Sequence, residues 1–399
     1  MNKSVREKLG DLCSVVTKGT TPTSLGMQFE DKGVPFLRIQ NLSNSTVTLD
    51  DVLFISDETH DALKRSKIKA GDFLITIAGT IGRVAIVPDS FPEANCNQAV
   101  AILRFDKKRL SPRFLLHWLN TNDALKQISG KKVTATISNL SLGQIKELEL
   151  PLPPLEEQKR IASILDKADA IRRKRQQAIQ HADDFLRAAF LDMFGDPVTN
   201  PKGWEVEPLK QVTSKIGSGS TPRGGKESYL EKGISLIRSL NVHDNRFVHK
   251  DLAFISAEQA EKLKNVVVEK DDVLLNITGA SVCRATLVDN SIIPARVNQH
   301  VCILRADTNR IKPSFLVSLL TSNSFKQYLL RIANSGGATR EALTKQEVEL
   351  LEIIIPPISL QKQYESIVSQ TRDFLKKAVT QDHFPLYESL SQKAFAGEL

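Results

Sequence analysis

The residues of this chain that could carry chemistry do not form any of the common catalytic or phosphate-binding motifs. The stretch GSGSTPRGGKES, which begins at Gly217, comes nearest to a phosphate-binding loop, but its Lys226 is followed by Glu227 instead of Ser or Thr. Asp89 has Glu93 nearby, yet the E-x-K pattern of a metal-dependent nuclease does not follow it. We therefore predict that the chain recognises a partner and is not an enzyme.

The cysteines and histidines are scattered in a way that predicts neither a metal site nor a disulfide framework. Cys13, Cys96, Cys283 and Cys302 contain no C-x-x-C pair, and the seven histidines form no cluster with metal-ligand spacing. A chain of 399 residues can bury a core without disulfides. We expect free thiols in a reducing cytoplasm, no metal ion and no cofactor.

Polar residues that recur in both halves of the chain are better candidates for recognition. The recurring residues are Gly19 and Pro22 with Gly219 and Pro222, Arg38 and Asn41 with Arg238 and Asn241, and Asn97-Gln98 with Asn298-Gln299. The Gly and Pro pairs predict turns, and the other residues place hydrogen-bonding side chains beside strand-like segments. An Asn in a turn more often satisfies the backbone than a ligand.

These residues belong to an internal repeat. Residues 9–22 match 209–222 and residues 33–41 match 233–241, whereas NQAVAILRFD from Asn97 matches NQHVCILRAD from Asn298 and LPP from Leu152 matches IPP from Ile355. The offset therefore grows from 200 to 201 and then 203, with each change in a loop. The pattern predicts a duplicated domain.

Each repeat combines strand signals with helix signals. Branched apolar residues cluster in short runs such as VPFLRIQ, FLITIAG and AVAILRF, which indicate strands. Helical signals follow in PRFLLHWL from Pro112 and PSFLVSLL from Pro313, where Pro precedes an apolar face. The sequence therefore predicts two α+β domains.

A long helix is predicted between the repeats and a second one after them. Residues 156–193 contain no Pro or Gly and keep apolar or small residues at heptad spacing, as do residues 360–378. The first helix spans about 57 Å at 1.5 Å per residue. We expect the two helices to pair as an antiparallel coiled coil, which would give the chain a pseudo-two-fold axis. Pro385 is expected to end the second helix near His383 and to start another.

Length and composition limit the class of protein. Hydrophobic residues make up 41% and charged residues 25%, which is typical of a globular chain and excludes disorder throughout. No apolar stretch approaches the roughly 20 residues of a membrane span, so we expect a soluble, unexported protein. The net charge of +8 is compatible with a polyanionic partner.

The order of these segments resembles the specificity subunit of a type I restriction-modification system. The resemblance rests on the G-x-T-P turns, the Asn-Gln blocks, the helix starts LPPLEEQKRIASILDKADAI and IPPISLQKQYESIVSQ, and the terminal SLSQKAFAGEL. It covers essentially the whole chain. It implies two target recognition domains, at 1–154 and 197–357, with helical regions at 155–196 and 358–399.

The resemblance also implies a function and partners. Each target recognition domain would read one half of a bipartite, asymmetric site in double-stranded DNA. The helical regions would fix the gap between the halves and dock two methyltransferase subunits, through which the restriction (motor-nuclease) subunits join. The chain itself would be non-catalytic and would direct methylation and cleavage by its partners.

Candidate DNA contacts follow from the side chains that suit phosphates and base edges. In the first domain they are Lys18, Thr20, Thr21, Arg38, Arg83, Lys131, Lys132, Thr134 and Thr136. In the second they are Ser218, Ser220, Thr221, Arg223, Lys226, Arg238, Arg284, Arg296 and Arg340. The loops GKKVTATIS and SGGATREAL are the most attractive segments, although either could be an ordinary surface loop.

Two alternatives remain open from the sequence. One is a duplicated scaffold that binds protein or glycan and uses its coiled coil as a spacer. The other is an enzyme, for instance a nuclease with an unrecognised site. Electrophoretic mobility of duplex DNA with the chain at two salt concentrations distinguishes a DNA-binding protein from the scaffold. Metal-dependent nicking of DNA by the isolated chain would support the enzyme.

Overall fold

The sequence repeat corresponds to two structural units. A computed structural model describes residues 5–43, 45–129, 139–222, 224–335, 341–379 and 384–399. The first unit comprises residues 1–175 together with 381–399, and the second comprises residues 176–380. Each unit therefore combines one repeat with helical segments from two different parts of the chain.

The first unit contains a short-stranded globular domain. Its strands are β1 (Arg6–Lys8), β2 (Cys13–Lys18), β3 (Val34–Leu37), β4 (Leu42–Ser43), β5 (Thr46–Val47), β6 (Leu53–Ile55), β7 (Lys67–Ile68), β8 (Phe73–Thr76), β9 (Val84–Ile86), β10 (Ala94–Cys96), β11 (Val100–Phe105) and β12 (Glu149–Pro151). Its helices are α1 (Leu9–Leu12), α2 (Asp57–Ala62), α3 (Pro112–Leu119), α4 (Asn122–Ser129), α5 (Leu142–Lys146) and the first part of α6 (Leu155–Phe194).

The second unit repeats this series. Its strands are β13 (Glu205–Pro208), β14 (Thr213–Ser218), β15 (Ile234–Ile237), β16 (Val242–His243), β17 (Arg246–Phe247), β18 (Ala253–Ile255), β19 (Val267–Val268), β20 (Val273–Asn276), β21 (Ala285–Leu287), β22 (Ala295–Val297), β23 (Val301–Ala306) and β24 (Glu352–Ile355). Its helices are the second part of α6, α7 (Ala257–Glu261), α8 (Pro313–Thr321), α9 (Asn323–Ser335), α10 (Lys345–Glu349) and α11 (Ile358–Val379). The last helix of the chain, α12 (Phe384–Ala396), belongs to the first unit.

Both units have the same sheet topology. The first unit has four-stranded sheets in the orders β6-β3-β10-β7 and β2-β11-β8-β9, and the second has β18-β15-β22-β19 and β14-β23-β20-β21. The strand at each position of a second-unit sheet carries a number twelve higher than the strand at the same position of the first-unit sheet, so the two orders match strand for strand. In each unit one pair, β3 with β10 or β15 with β22, is parallel. The predicted α+β fold with two repeated domains is confirmed.

A partly buried ion pair between an arginine and a buried aspartate ties the two sheets of each unit together. In the first unit the guanidinium of Arg104 donates two hydrogen bonds of 2.7 Å to Asp72 and a third, of 2.8 Å, to the carbonyl of Lys67 in β7. Arg305 donates in the same way to Asp272 and to Val267 in β19. This bidentate geometry favours Arg over Lys at both positions.

A glutamine anchors the start of the long helix in each unit. Gln158 is fully buried; its Oε1 accepts the N–H of Ser111 at 2.8 Å and its Nε2 donates to the carbonyls of Arg109 and Pro153 at 2.9 Å. In the second unit Gln361 makes the equivalent bonds to Lys312, Arg310 and Pro356, at 2.8 to 3.2 Å. The repeated Pro-Pro-x-x-x-Gln sequence is therefore a structural joint between the helix and the domain.

The helices of the second unit pair in antiparallel fashion. The hydroxyl of Tyr364 donates to the carbonyl of Leu186 at 3.3 Å, and the rings of Phe190 and Phe194 lie 5.7 and 5.5 Å from the Tyr364 ring. Edge-to-face pairs of this kind contribute about 0.5–1.5 kcal/mol each. The predicted pairing between the two long helical segments is thus present in this unit.

In the first unit the partner of α6 is α12 instead of α11. The guanidinium carbon of Arg172 lies 5.8 Å from the ring centre of Tyr387, and Arg160 donates to the carbonyl of Leu399 at 2.9 Å. α12 begins at Phe384, so Pro385 lies in its first turn, where no backbone N–H is required. The predicted restart with Pro385 in the first turn agrees with this start of α12, whereas the predicted end near His383 lies outside the described residues. Among the described residues, no helix is long and apolar enough to cross a membrane.

Candidate nucleic-acid interface

Two recurring sequence blocks meet at one edge of each domain. In the first unit the turn at Gly19 follows β2, and the N–H groups of Gly19 and Thr20 donate to the carbonyls of Val100 and Cys96 at 3.0 and 3.1 Å. A Cβ atom on Gly19 would collide with the carbonyl oxygen of Cys96, and one on Gly219 with that of Val297. Glycine therefore allows the turn to lie directly against the Asn-Gln block.

A threonine and a glutamine hydrogen-bond across this contact in both units. The Thr21 hydroxyl donates to Oε1 of Gln98, and the Thr221 hydroxyl donates to Oε1 of Gln299 at 2.5 Å. Gln98 and Gln299 are exposed. Because each hydroxyl holds the amide oxygen, the amide nitrogen is oriented as a donor, which suits acceptors on base edges. In the second unit this nitrogen also contacts His300, which leaves one of its two N–H groups for another acceptor.

The predicted DNA-contact loops GKKVTATIS and SGGATREAL each end beside the same edge. Asn139, which follows one loop, forms a β-bridge with Ala78, and the N–H of Leu140 donates to Ile77 at 2.8 Å. The N–H of Ile77 in turn donates to Ala99, next to Gln98. In the second unit Ala342 bridges to Thr278, and Ile277 donates to His300 at 3.0 Å. The edge thus joins a turn, an Asn-Gln block and the end of a loop.

The residues beside the shared Thr–Gln pair differ between the units. Ala78 and Ala99 of the first unit stand where the second unit has Thr278 and His300. The Thr278 hydroxyl lies 2.5 Å from Nδ1 of His300, and Nε2 of His300 lies 3.1 Å from Nε2 of Gln299. The second unit therefore presents additional polar groups on the same framework.

Arg38 and Arg238, both predicted DNA contacts, are engaged within their own domains. Arg38 donates to the carbonyl of Asp51 at 2.6 Å, and Arg238 donates to the carbonyl of Asp251 and lies 5.2 Å from the ring centre of Tyr229. Their Nε atoms are buried without a hydrogen-bond partner. These contacts hold the loops after β3 and β15, and a DNA contact by either arginine stays a prediction.

The other predicted residues are distributed over several places. Lys18, Thr20, Thr21, Ser218, Ser220 and Thr221 lie at or beside the two turns. Lys226 is exposed in the short helix at Gly225–Ser228, and Arg83 is exposed at the start of β9. Lys131, Lys132, Thr134, Thr136, Arg223 and Arg340 lie outside the described residues.

Two predicted arginines of the second unit direct their side chains elsewhere than its turn, although Arg296 precedes Val297, whose carbonyl lies against Gly219. Arg296 on β22 donates to the carbonyls of Ala260 and Ala295 at 3.1 and 3.0 Å, and burial lowers its pKa. Arg284, next to β21, lines a cleft against α6 and α11. The structure does not bring these two arginines together with Ser218, Ser220 and Thr221.

Gln98 and Gln299 were not among the predicted contacts, although the sequence contained a signal for them. Each is the second residue of an Asn-Gln block, and each block lies at the same distance after its G-x-T-P turn to within one residue. The partner threonines were predicted because they are polar turn residues. What the sequence did not reveal is that each threonine orients a glutamine.

The cysteines near this edge are buried and protonated thiols. Cys96 and Cys302 are buried in their sheets, and burial raises the pKa of Cys302 to about 12. In the described part of the chain, no group of three or more His, Cys, Asp or Glu side chains could hold a metal ion.

Comparison with known proteins gives consistent matches over most of the chain. The family model for the type I restriction modification DNA specificity domain matches twice, at residues 2–181 and 201–381. The chain is 25% identical over 385 residues to the putative type I restriction enzyme MjaX specificity subunit of Methanocaldococcus jannaschii, which covers 90% of this chain and 84% of that protein. It is 23% identical over 396 residues to the StySPI specificity subunit of Salmonella potsdam, which covers 93% and 83% respectively.

A solved structure supports the fold. The S subunit of the type I restriction-modification system from M. genitalium has a TM-score of 0.61 and 15% identity, and the match covers 99% of this chain and 97% of that one.

Proposed function

This chain belongs to the family of type I restriction modification DNA specificity domains, and from that membership we propose that it is the subunit that chooses the DNA sequence on which a type I system acts. Its two domains, which we place at 1–154 and 197–357, each read one half of a bipartite, asymmetric target. Partner methyltransferase and restriction subunits then methylate or cleave the DNA.

One observation carries the bipartite, asymmetric assignment. The two units present the same Thr–Gln pair on the same sheet edge, but Thr278 and His300 accompany it only in the second. A shared framework places both readers in the same way relative to their own DNA half-site. Different neighbouring side chains offer different donors and acceptors, which is what reading two different base sequences requires.

The amide nitrogens of Gln98 and Gln299 are the base-reading donors in this proposal. Lys18 and Lys226 are exposed beside the turns and supply phosphate contacts, which position a protein without reading sequence. Lys131, Lys132, Thr134, Thr136 and Arg340 would add contacts from the loops that adjoin each edge. A net charge of +8 favours such contacts.

The helices supply the docking surface for two methyltransferase subunits. Large apolar side chains remain exposed on them outside any cleft lining: Ile171 in the first unit, and Phe185 and Phe374 in the second, with 44% to 66% of each residue accessible. Exposed apolar side chains on a charged helix are typical of a surface that a partner covers. The restriction subunits would join through the same assembly.

We assign no catalytic step to this chain, because the relatives that it matches over most of its length are named specificity subunits. We place it in the cytoplasm, where its DNA target and its free cysteines are compatible with the environment.

The test is to map the methylated motifs of the host genome with the gene intact, deleted and altered. Deletion should remove one split motif. The combined change Thr221→Val and Gln299→Ala should alter or relax one half of that motif and leave the other half unchanged. Gln211→Ala, at an exposed position of the second domain outside the long helices, is the matched control and should change nothing. If no split motif disappears on deletion, the assignment fails.

A further inference from the structure

The second unit contains a cleft of about 890 Å³ whose lining residues all belong to that unit. The second part of α6 and α11 form its apolar wall, with Leu186, Phe190, Tyr364 and Val368. The hairpin of β16 and β17 and the end of α8 form the opposite side. Clefts of this size with a mostly apolar lining and a few polar groups are typical of small-molecule sites.

Arginine side chains without carboxylate partners converge on this cleft. Arg246, Arg284 and Arg372 all line it, and among the described residues none of the three makes a salt bridge. The acids of the lining are mostly engaged elsewhere: Asp244 pairs with Lys326, and Asp196 accepts backbone N–H groups at 2.8 and 3.1 Å. Counting every described charged residue of the lining, there are five cations and three acids, so the cleft has an excess of positive charge. The cations are Arg187, Arg246, Arg284, Arg372 and Lys376, and the acids are Asp183, Asp196 and Asp244.

The titration behaviour of its groups agrees with this geometry. Burial lowers the pKa of Arg372, and burial with the charges of Arg284 and Arg246 lowers the pKa of His243. Burial raises the pKa of Asp183, although the charges of Arg187, Arg246 and Arg372 oppose that change. A desolvated guanidinium such as that of Arg372, with no carboxylate of the described residues within ion-pair distance, is costly, and an anionic ligand would compensate it.

We propose that this cleft binds a small organic anion. Its phosphate or carboxylate group would lie against Arg246, Arg284 and Arg372, and its apolar body against the wall formed by Leu186 and Phe190. Guanidinium groups bind phosphate and carboxylate through paired hydrogen bonds. The proposal does not depend on the DNA-reading function.

The first unit supplies a variant that adds two rings at the cleft without removing its charges, because Ser318 lines the cleft and Ala182 precedes Asp183, which also lines it. When α3 is aligned with α8, His117 corresponds to Ser318. When α12 is aligned with the second part of α6, so that Phe395 matches Phe190, Tyr387 corresponds to Ala182. Phe114 packs on Phe395 as Phe315 packs on Phe190, which supports this alignment. The first unit thus has two rings where the second has small side chains.

The experiment is isothermal titration calorimetry of the full chain with phenyl phosphate, inorganic phosphate and phenol. Phenyl phosphate should bind most tightly, because only it meets both the cations and the apolar wall. Arg372→Gln should weaken it about tenfold or more, since a hydrogen bond to a charged group contributes about 1.5–3 kcal/mol. Ala182→Tyr with Ser318→His should abolish binding. Arg173→Gln, on α6 in the first unit, is the control and should change nothing.

Circular dichroism checks the fold of each variant. If Arg372→Gln does not fold, the double variant Ala182→Tyr with Ser318→His tests whether phenyl phosphate binds in the cleft. Absence of saturable binding, or binding that survives both variants, would overturn the proposal. Displacement of phenyl phosphate by duplex DNA would assign the cleft to DNA instead. Loss of binding when the methyltransferase subunit is added would assign it to a protein partner, whereas retained binding supports a small-molecule site.

Discussion

The junction between the domain and its helices is built differently in the two units. In the first unit, Arg113 donates to Asp166 at 3.1 Å, Nε2 of His117 lies 2.7 Å from Asp166, and Nδ1 of His117 lies 2.9 Å from the hydroxyl of Tyr387. In the second unit the aligned residues are Ser314, Ser369, Ser318 and Ala182. A continuous polar network in one unit is thus replaced by small side chains and a cleft in the other.

This difference shows which contacts the fold requires and which it leaves free to vary. The glutamine joint and the Arg–Asp pair between the sheets occur in both units with the same partners. They satisfy buried backbone and charged groups, whose loss is costly. The side chains at the positions of Arg113, His117 and Asp166 do not satisfy such buried groups, so the two units can differ at these positions.

The largest effect is expected at the shared joint. Gln361→Leu leaves the N–H of Lys312 and the carbonyls of Arg310 and Pro356 without their partner, and at about 1–3 kcal/mol per buried group the second unit should lose about 3 kcal/mol or more. Gln158→Leu should do the same to the first unit. Hydrogen exchange measured by mass spectrometry should localise each loss to its own unit.

Gln370→Leu, at an exposed position of α11, is the matched control for this comparison and should change stability by less than about 0.5 kcal/mol. Equal losses for the two joint variants would confirm that the joint is equivalent in both units. A much smaller loss for Gln158→Leu would show that the polar network of the first unit substitutes for the joint.

The next effect concerns DNA reading in the first unit. Gln98→Ala removes the oriented amide and should reduce discrimination at one base pair of the first half-site by about 1–3 kcal/mol. Binding to a set of duplexes with single base changes measures it. Gln40→Ala, a change at another exposed glutamine of this domain, is the comparison. Uniform weakening on all duplexes would mean that Gln98 positions the DNA and does not read it.

A smaller effect is expected from the network of the first unit. Asp166→Asn removes the charge that Arg113 and His117 contact, and because this carboxylate is partly exposed the loss should be about 1 kcal/mol. Ser369→Ala, at the aligned position of the second unit, should be nearly neutral. Thermal unfolding of the two variants beside the unaltered chain measures the difference, and equal losses would contradict the contrast between the junctions.

The smallest effect is a pH dependence confined to the first junction. Burial acts to raise the pKa of Asp166, but hydrogen bonds from His117 and Arg113 and their charges bring it down to about 2. A lowered pKa in the folded state stabilises the fold above the ordinary value of 3.8 and loses that contribution as the pH falls toward 2. Stability should therefore decline less steeply between pH 4 and pH 2 in Asp166→Asn than in the unaltered chain. Identical slopes would show that the network does not titrate in this range.

The sequence predicted the larger features of the fold because they depend on local pattern. The repeat, the α+β class, the unbroken helix from Leu155 to Phe194 and the position of Pro385 in the first turn of α12 all follow from periodicity or from the backbone chemistry of proline. The threonines of the candidate interface were also predicted, since G-x-T-P recurs at an offset of 200. These signals lie within short stretches or between aligned copies.

The tertiary structure alone decided which of these residues meet. Thr21 and Gln98 are 77 residues apart, and only the pairing of β2 with β11 brings the turn to the Asn-Gln block. Arg38 and Arg238 have the residue type of a DNA contact, but the loops that follow them place backbone carbonyls within their reach. Ser318 carries no signal in the sequence, yet it lines a cleft that opens between the packed helices and the β16–β17 hairpin of the second unit. Contacts of this kind depend on the register and packing of distant segments, which no local pattern contains.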